Sequence, residues 1–463
     1  MERQGSLCLK VKPTRLLLFS FTLFSSIFFL SFFTISLSNS SPHTLSPISL
    51  SNSSPNTLSP ISLSNSSPNT LSLNLQPISL SDSSPNTLSL HSFTHNNFTP
   101  ANFSFLIDNR LSRTLNRSKD EVKMVKGCDL SNGHWVFDER YPLYATDSCP
   151  FVDEAFDCQG NGRFDSNFTK WRWQPQHCHF PRFNATEMLE LIRGKRLVFV
   201  GDSINRNQWE SMLCMLLSAV KDPKRVFEAR GRKIVKEKGN YSFRFLDYQC
   251  TVEYYVSHFL VHESKARVGQ KRRPTLRIDA IDHGSSRWRG AHILVFNTAH
   301  WWSHYKTKAG IYYYQEGTMV HPRLNVSTAF RKALTTWASW VDKHINSKKT
   351  QVFFRTSAPS HFRGGNWNSG GHCTEATHPL KETLNTTYPE KNVIVEEIIK
   401  RMKTPVTLLN ITSLSEFRID GHPSIYGRKT RSTRIQDCSH WCLPGVPDTW
   451  NEMLFFHLQS RLE

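Results

Sequence analysis

Residues able to transfer an acyl group occur at two widely separated places in this chain. Ser203 follows the apolar run 197–201 and precedes an amphipathic stretch, which predicts a position on the turn between a strand and a helix. A hydroxyl on such a turn faces the crevice where α/β sheets hold ligands, and it acts as a nucleophile when a base lies nearby. A serine that only caps a helix fits the same pattern.

The base is predicted in a distant loop rich in cysteine and proline. In that loop Asp437 precedes His440 by three residues. At this spacing the carboxylate reaches back to accept a hydrogen bond from the imidazole, which fixes the tautomer and orientation of the ring. Ser203, His440 and Asp437 therefore form a candidate catalytic triad. The alternative is a surface loop in which His440 is solvated or structural.

The elements that must position these residues alternate along the chain. Apolar runs predict strands near 196–200, 245–258, 292–297, 351–356 and 405–410. Helical periodicity predicts helices near 204–219, 327–345, 388–402 and 448–459. Strands separated by helices indicate an α/β fold with a mainly parallel sheet covered on both faces. The aromatic, cysteine-rich segment 128–183 lacks this alternation, and we expect it to wrap the sheet as a separate lobe, with the substrate groove between the two.

Further short motifs give the chain a family resemblance. These motifs lie at 127–130, 141–144, 158–163, 171–175, 200–203, 297–302, 361–367 and 437–440. Together they resemble plant trichome birefringence-like proteins, a branch of the GDSL/SGNH-type esterase superfamily with a PC-esterase domain, whose members O-acetylate cell-wall polysaccharides. The resemblance covers about residues 127–462. It implies an SGNH-hydrolase-like three-layer αβα core over 195–463 and a smaller disulfide-rich lobe over 127–183.

The activity that the resemblance implies is polysaccharide O-acetyl transfer. Ser203, deprotonated by His440, takes an acetyl group while Asp437 stabilises the imidazolium, and His440 then activates a hydroxyl of a pectin or xylan-type acceptor. This chemistry needs no metal and no cofactor, because the acetyl donor, such as one derived from acetyl-CoA, is a co-substrate. Two alternatives stay open. One is a polysaccharide acetylesterase, in which water replaces the sugar hydroxyl, and the other is a non-catalytic pectin-binding bridging protein with a vestigial site.

The donors of the oxyanion hole are predicted from both spacing and resemblance. The Ser203 backbone N–H is a natural donor, and the Arg206 side chain three residues later reaches the same oxygen. The resemblance supports Arg206 in that role. The family commonly supplies a further oxyanion donor from an Asn at the position of Gln249, and the Gln249 amide carries the same donor on a longer side chain. The family usually has Gly at the position of Ala299. We expect these two departures to affect the rate or the acceptor preference rather than the reaction class.

The composition of residues 1–126 differs from that of the remainder. A basic tail at 1–15 precedes an uncharged span at 16–37, which predicts a type II signal anchor with a cytosolic tail and a lumenal catalytic domain. A cleaved signal peptide is the alternative. The resemblance places the anchor in the Golgi membrane. The Ser/Pro/Asn-rich repeats of 38–126 predict a stalk, either glycosylated at sequons such as Asn39 or an unmodified tether.

Cysteine usage follows from this topology. Of ten cysteines, Cys8 lies on the predicted cytosolic side, and an oxidising lumen favours disulfides among the other nine. Zinc is the alternative, because Cys438, His440 and Cys442 resemble a metal cluster. The resemblance implies a buried free thiol at Cys250. It also implies four disulfides, namely Cys128–Cys178, Cys149–Cys214, Cys158–Cys442 and Cys373–Cys438.

Charge and aromatic residues indicate the acceptor. The 57 Lys and Arg residues exceed the 38 Asp and Glu residues, which favours polyanions. On the lumenal side of a membrane span, the polyanions available to the protein are acidic polysaccharides such as pectins rather than nucleic acid. Alternatively, the basic runs at 221–238 and 265–273 are solvated faces. Tryptophans in polar segments are candidates for stacking on sugar rings, with burial in the core as the alternative. They are Trp171, Trp173, Trp301, Trp302 and Trp367.

Overall fold

A computed structural model gives the fold of the predicted catalytic domain. It describes residues 128–178, 180–235, 239–383, 387–429 and 435–460. The predicted tail, anchor and stalk lie outside these residues, so they stay predictions. No helix within the described ranges is both long enough and apolar enough to cross a membrane.

Thirteen strands and six α-helices form the described part of the chain. The strands are β1 (Gly133–Phe137), β2 (Trp171–Pro175), β3 (Arg196–Gly201), β4 (Val226–Glu228), β5 (Tyr241–Phe245), β6 (Cys250–Val256), β7 (Val261–Val268), β8 (Lys271–Ile281), β9 (Ile293–Phe296), β10 (Tyr314–Glu316), β11 (Met319–Val320), β12 (Gln351–Arg355) and β13 (Val406–Leu409). The helices are α1 (Ala185–Leu191), α2 (Ser203–Leu217), α3 (Val326–His344), α4 (Glu390–Ile399), α5 (Thr412–Glu416) and α6 (Val446–Gln459).

The main sheet has seven strands in the order β13-β12-β9-β3-β6-β5-β4. The five strands from β13 to β6 are parallel, and β5 and β4 add antiparallel pairs at one edge. The expected α/β fold with a mainly parallel sheet is therefore confirmed. The strand expected over 245–258 is present as β6, but it is shorter than expected, and Phe245 belongs to a separate strand, β5. Gln249 adopts a left-handed conformation with a φ of 50°, which turns the chain sharply and separates β5 from β6.

Side-chain alternation along β3 explains why helices cover both faces of this sheet. Leu197 and Phe199 are fully buried on the face that packs against α1, α2 and α6. Val198 and Val200 are fully buried on the other face, with side chains of α3 and α4. A central parallel strand buried on both faces has a continuously apolar sequence. The carboxyl end of β3 is thus held rigidly before the chain reaches Ser203.

A second sheet, which the sequence did not predict, flanks the first. It has the order β11-β10-β8-β7, with β7 and β8 forming a long antiparallel hairpin. The basic run 265–273 forms the tip of this hairpin, where its Lys and Arg side chains are exposed. Charged strands of this kind carry little of the apolar signal on which strand prediction depends.

The cysteine-rich segment 128–183 contains the two-stranded β1–β2 sheet and shares a core with the far end of the chain. Trp173 is buried together with Trp441 and with Trp450 of α6. Its indole N–H donates to the Leu130 carbonyl oxygen, 2.8 Å away. This packing places the segment directly against the loop that carries His440.

Candidate active site

Ser203 is the first residue of α2, immediately after the strand β3. Gly201 ends that strand where a Cβ atom would lie only 1.8 Å from the Asn297 side-chain oxygen, so no larger residue fits. Asp202 caps the helix, because its Oδ1 accepts a hydrogen bond from the Ile204 N–H at 3.0 Å. The backbone N–H of the first helical residue has no partner within its own helix. Ser203 therefore combines a hydroxyl with a free backbone donor.

The three residues of the candidate triad are in hydrogen-bond contact. Ser203 Oγ lies 2.8 Å from His440 Nε2, and His440 Nδ1 lies 2.7 Å from Asp437 Oδ2. Because the carboxylate accepts from Nδ1–H, Nε2 is left free to accept the Ser203 proton. Burial opposes ionisation of Asp437, but the charge of His440 and hydrogen bonds from His440 and the Ser439 N–H hold the pKa of this carboxyl well below its usual value. The carboxylate is thus ionised and oriented.

Two side chains bond to the backbone at His440 and Trp441, and a third side chain contacts one of them. Asn207 of α2 donates to the Trp441 carbonyl oxygen at 3.1 Å and accepts from the Trp441 N–H at 2.8 Å. His422 Nδ1–H donates to the His440 carbonyl oxygen at 2.6 Å, and His422 Nε2 lies 2.7 Å from His361 Nδ1. The sequence analysis missed these three residues. The local signals were that Asn207 lies one helical turn after Ser203 and that His361 begins one of the motifs quoted for the family resemblance.

The four disulfides implied by the resemblance are present, and Cys250 is a buried free thiol. Burial raises the pKa of that thiol to about 12. Two bonds, Cys158–Cys442 and Cys373–Cys438, flank His440 on either side. Because Cys438 and Cys442 both pair with other cysteines, they do not join His440 in a zinc site. Within the described ranges, no group of three or more His, Cys, Asp or Glu side chains is arranged to hold a metal ion.

Arg206 has different partners from those expected. Its buried guanidinium lies 3.5 Å from Asp153 and 3.6 Å from Glu210, and its central carbon lies 4.9 Å from the centre of the Phe156 ring. Phe156 in turn packs against the His440 ring, with 5.4 Å between centroids. Arg206 therefore contributes to the packing behind His440 through Phe156. Its geometry does not support the expected contact with the oxyanion.

The expectation that Gln249 contributes to the oxyanion hole is wrong. β6 runs parallel to β3, with Arg196 beside Thr251 and Gly201 beside Val256. Gln249 precedes β6 and thus lies at the amino-terminal edge of the sheet, whereas Ser203 follows the carboxyl-terminal edge. The two edges are roughly 16 Å apart, given about 3.3 Å per strand residue.

A side-chain amide does lie at the correct edge, on Asn297 after β9. Its nitrogen donates to Asp202 Oδ1 at 2.9 Å, and its oxygen accepts from the Asp202 N–H at 3.1 Å. Asn297 therefore holds the residue that caps α2 and fixes the direction of the Ser203 backbone. The sequence analysis quoted Asn297 only within a family motif.

Three polar side chains interact with the fully buried Asp202. Burial opposes its ionisation, but His300, Asn297 and Arg355 lower the pKa of this carboxyl. Burial lowers the pKa of His300 to about 4 and that of Arg355 to about 10. Lys391 donates to the carbonyl oxygen of Ala299 at 3.1 Å. Ala299 is itself 4% exposed, so the methyl group by which this chain departs from the family pattern is buried.

The candidate sugar-stacking tryptophans fall into two groups. Trp173 and Trp302 are each only 1% exposed and belong to the core, so they do not contact a polymer. Trp171 and Trp301 are half-buried, and Trp367 is 44% exposed. Only the last three present ring surface to solvent.

Comparison with known sequences shows the family of this chain. Residues 180–457 match the PC-Esterase family, described as a GDSL/SGNH-like Acyl-Esterase family found in Pmr5 and Cas1p. Residues 126–179 match the PMR5 N terminal Domain.

Curated relatives from Arabidopsis thaliana extend the match. Protein trichome birefringence-like 6 is 58% identical over 476 aligned residues that cover 100% of both chains. Protein trichome birefringence-like 1 is 51% identical and aligns with 76% of this chain and 65% of its own length. Protein trichome birefringence is 51% identical and aligns with 73% of this chain and 57% of its own length. The chain thus belongs to the trichome birefringence-like proteins, within the GDSL/SGNH-like acyl-esterase family.

Proposed function

We propose that this protein is an O-acetyltransferase that acetylates hydroxyls of a plant cell-wall polysaccharide of the pectin or xylan type. The observation that carries the proposal is the hydrogen-bonded series Ser203 Oγ, His440 Nε2, His440 Nδ1 and Asp437 Oδ2. This series lies at a strand-to-helix turn of a domain that matches a GDSL/SGNH-like acyl-esterase family. The same arrangement of nucleophile, base and orienting carboxylate performs acyl transfer on unrelated folds.

The first half-reaction forms an acetyl ester on Ser203. His440 Nε2 takes the hydroxyl proton as Oγ attacks the donor's acetyl carbonyl carbon, and Asp437 stabilises the resulting imidazolium. The Ser203 N–H donates to the developing oxyanion. Collapse of the tetrahedral intermediate breaks the bond to the donor's leaving group, which takes the proton from His440.

The second half-reaction transfers the acetyl group to the acceptor. His440 Nε2 takes a proton from a sugar hydroxyl, whose oxygen attacks the acetyl-serine carbonyl carbon. When the second intermediate collapses, the bond between the acetyl group and Ser203 Oγ breaks and Oγ regains the proton. The acetyl donor is a co-substrate in this scheme, and no cofactor takes part.

Acetylester hydrolysis is the second candidate, because the matched family is described by acyl-esterase chemistry. The first half-reaction is unchanged, and water replaces the sugar hydroxyl in the second. Transfer dominates only if a bound acceptor occupies the position from which water would attack.

We also propose that the protein is a single-pass type II protein of the Golgi membrane, anchored by residues 16–37 with its catalytic domain in the lumen. The basic tail before the uncharged span supports this orientation. Protease added to sealed Golgi vesicles should leave residues 38–463 protected. A mature chain that begins soon after residue 37 would instead show a cleaved signal.

The triad is tested with purified full-length protein exposed briefly to an acetyl donor without acceptor. We expect an acetyl adduct on Ser203 in intact-mass and peptide spectra, absent from Ser203→Ala, and discharged into acetylated sugar when the correct oligosaccharide is added. Acetate released at equal rates with and without acceptor would favour the esterase. Wild-type acetylation of the polymer by Ser203→Ala would contradict both.

A further inference from the structure

Two loops near the candidate active site bring two aromatic rings against one lysine, and a third ring packs on one of the two. The Lys306 ammonium lies 4.5 Å from the centre of the Trp301 ring and 4.8 Å from the centre of the Trp367 ring. Tyr305 meets Trp367 edge to face, with 5.0 Å between centroids. Tyr305 is 59% exposed and Trp367 is 44% exposed. We call Trp301, Tyr305, Lys306 and Trp367 the Lys306 platform.

The platform lies at the same edge of the sheet as Ser203. Its first loop, 297–313, follows β9, the neighbour of β3, and its second loop, 356–373, follows β12, the neighbour of β9. Both loops leave the carboxyl ends of parallel strands, as Ser203 does. The second loop also joins the His440 loop through the hydrogen bond from Ser360 to Ser439, 3.1 Å long. The platform and the triad are therefore continuous along one edge.

These loops have no acidic residue of their own, and Glu375, just after the second loop, lies 3.5 Å from His372. Residues 298–313 and 356–374 contain no Asp or Glu. In the described part of the chain, no acidic side chain forms an ion pair with Lys306. Lys308 and Arg363 add exposed positive charge to the same loops. An ammonium group held between two ring faces still has an N–H available to donate to an anion. In addition, a cleft lined by charges of one sign attracts ligands of the opposite charge.

We infer that the Lys306 platform is an acceptor subsite for a uronate-containing polysaccharide. Sugar rings stack on the exposed Trp367 and Tyr305 faces, while the Lys306 ammonium donates to the carboxylate of a uronic acid residue. Exposed aromatic rings alone accept any sugar, whereas the lysine distinguishes acidic from neutral polymers. This inference rests on the proposed function, because it selects the acidic acceptor among those the triad would acetylate.

The test measures binding rather than transfer. Full-length protein carrying Ser203→Ala is titrated with an oligogalacturonate and with a neutral xylo-oligosaccharide of equal length. We expect Lys306→Gln to weaken oligogalacturonate binding about tenfold, as for the loss of a charge-assisted hydrogen bond. Binding of the neutral ligand should not change. Lys306→Arg should restore most of the acidic affinity, and Trp367→Ala should weaken the binding of both ligands.

The matched control is Lys348→Gln, which removes the same charge from an exposed lysine just before β12, at the opposite edge of the sheet. This variant should bind oligogalacturonate as the parent does. The inference is overturned if Lys306→Gln keeps the parent affinity for oligogalacturonate, loses affinity for both ligands equally, or matches Lys348→Gln.

Failure of this inference is distinguishable from failure of the proposed function. Acetyl-serine formation is read separately on the protein with Ser203 intact. Selective binding without acetyl-serine would contradict the proposed transferase and leave the subsite supported. Acetyl-serine without selective binding would contradict the subsite alone.

Discussion

Asp437 illustrates how one side chain serves both structure and chemistry. Its Oδ2 accepts from the His440 ring, and its Oδ1 accepts from the backbone N–H groups of Ser439 and His440, at 3.1 Å and 3.0 Å. These contacts lock the carboxylate so that it selects the imidazole tautomer with an unprotonated Nε2. An amide at this position loses that selection, because its nitrogen donates where the carboxylate accepts.

We therefore expect Asp437→Asn to lower kcat for acetyl transfer by about 10³–10⁴-fold while oligosaccharide affinity stays within a factor of about two. Steady-state rates and equilibrium binding on the same preparation check this. Asp147→Asn, at an exposed aspartate, is the matched control and should keep wild-type kcat. A kcat within tenfold of wild type for Asp437→Asn would argue against the triad.

At the scale of secondary structure, α2 joins the parts of the site. It begins with Ser203, holds the Trp441 backbone through Asn207, and is bonded to the cysteine-rich segment through Cys214. A buried backbone N–H or carbonyl left unpaired costs about 1–3 kcal/mol. The Asn207 side chain pairs with both the N–H and the carbonyl oxygen of Trp441, so the position of the neighbouring His440 depends on this helix.

Asn207→Ala should lower both the melting temperature and kcat, because Trp441 loses two buried partners and the His440 ring is held less firmly. Acceptor affinity should change little. Thermal melting, kcat and binding measured together distinguish positioning from simple destabilisation. An unchanged kcat in the folded fraction would show that the other contacts of the loop suffice.

The disulfides permit a matched comparison of two covalent links. Cys442→Ser removes the bond next to His440, whereas Cys214→Ser removes a bond farther along α2. Each should lower the free energy of unfolding by about 2–5 kcal/mol. Only Cys442→Ser should also lower kcat measured per folded molecule, because only that bond restrains the catalytic loop. Equal kcat losses in both variants would show that general destabilisation is responsible.

For the whole molecule, buried carboxyl groups between α6 and its neighbours make stability depend on pH. Burial raises the pKa of Asp448 and of Glu452 to about 7 each. Glu452 Oε1 accepts a hydrogen bond from the Tyr141 hydroxyl at 2.8 Å, and Asp448 Oδ1 accepts from Ser211 at 2.6 Å. Because these pKa values are raised in the folded state, the folded protein binds more protons than the unfolded chain between about pH 4 and pH 7. Their stabilising contribution is complete below about pH 4 and is lost as pH rises through about 7.

Glu452→Gln should therefore flatten the pH dependence of unfolding. The side chain keeps its oxygen for Tyr141 but no longer ionises, so the decrease in stability between about pH 4 and pH 7 should shrink, by a few kcal/mol at most. Urea unfolding at a series of pH values measures this. Glu382→Gln, at an exposed glutamate, should leave the slope unchanged. Equal slopes for wild type and Glu452→Gln would contradict the assigned pKa.

The sequence by itself determined the local elements and the chemical identity of the triad. Three local patterns were enough: the apolar run of β3, the turn residues before Ser203, and the close spacing of Asp437 and His440. The hydrophobic period shows which side of a segment is buried, and the spacing shows which side chains can reach each other. All four predicted helices are present with small shifts at their ends. The four disulfides followed from family resemblance, because spacing alone does not determine connectivity.

Only the tertiary structure decided which distant residues meet. Ser203 and His440 are 237 positions apart, and the 2.8 Å contact between them depends on the packing of α2 against the His440 loop. The wrong role for Gln249 has the same origin, because nothing local shows at which edge of the sheet a turn lies. Strand order and direction determine that edge, and they depend on burying apolar surface contributed by the whole domain. The ion pair between Arg206 and Asp153 likewise joins helix α2 to a segment distant in the chain.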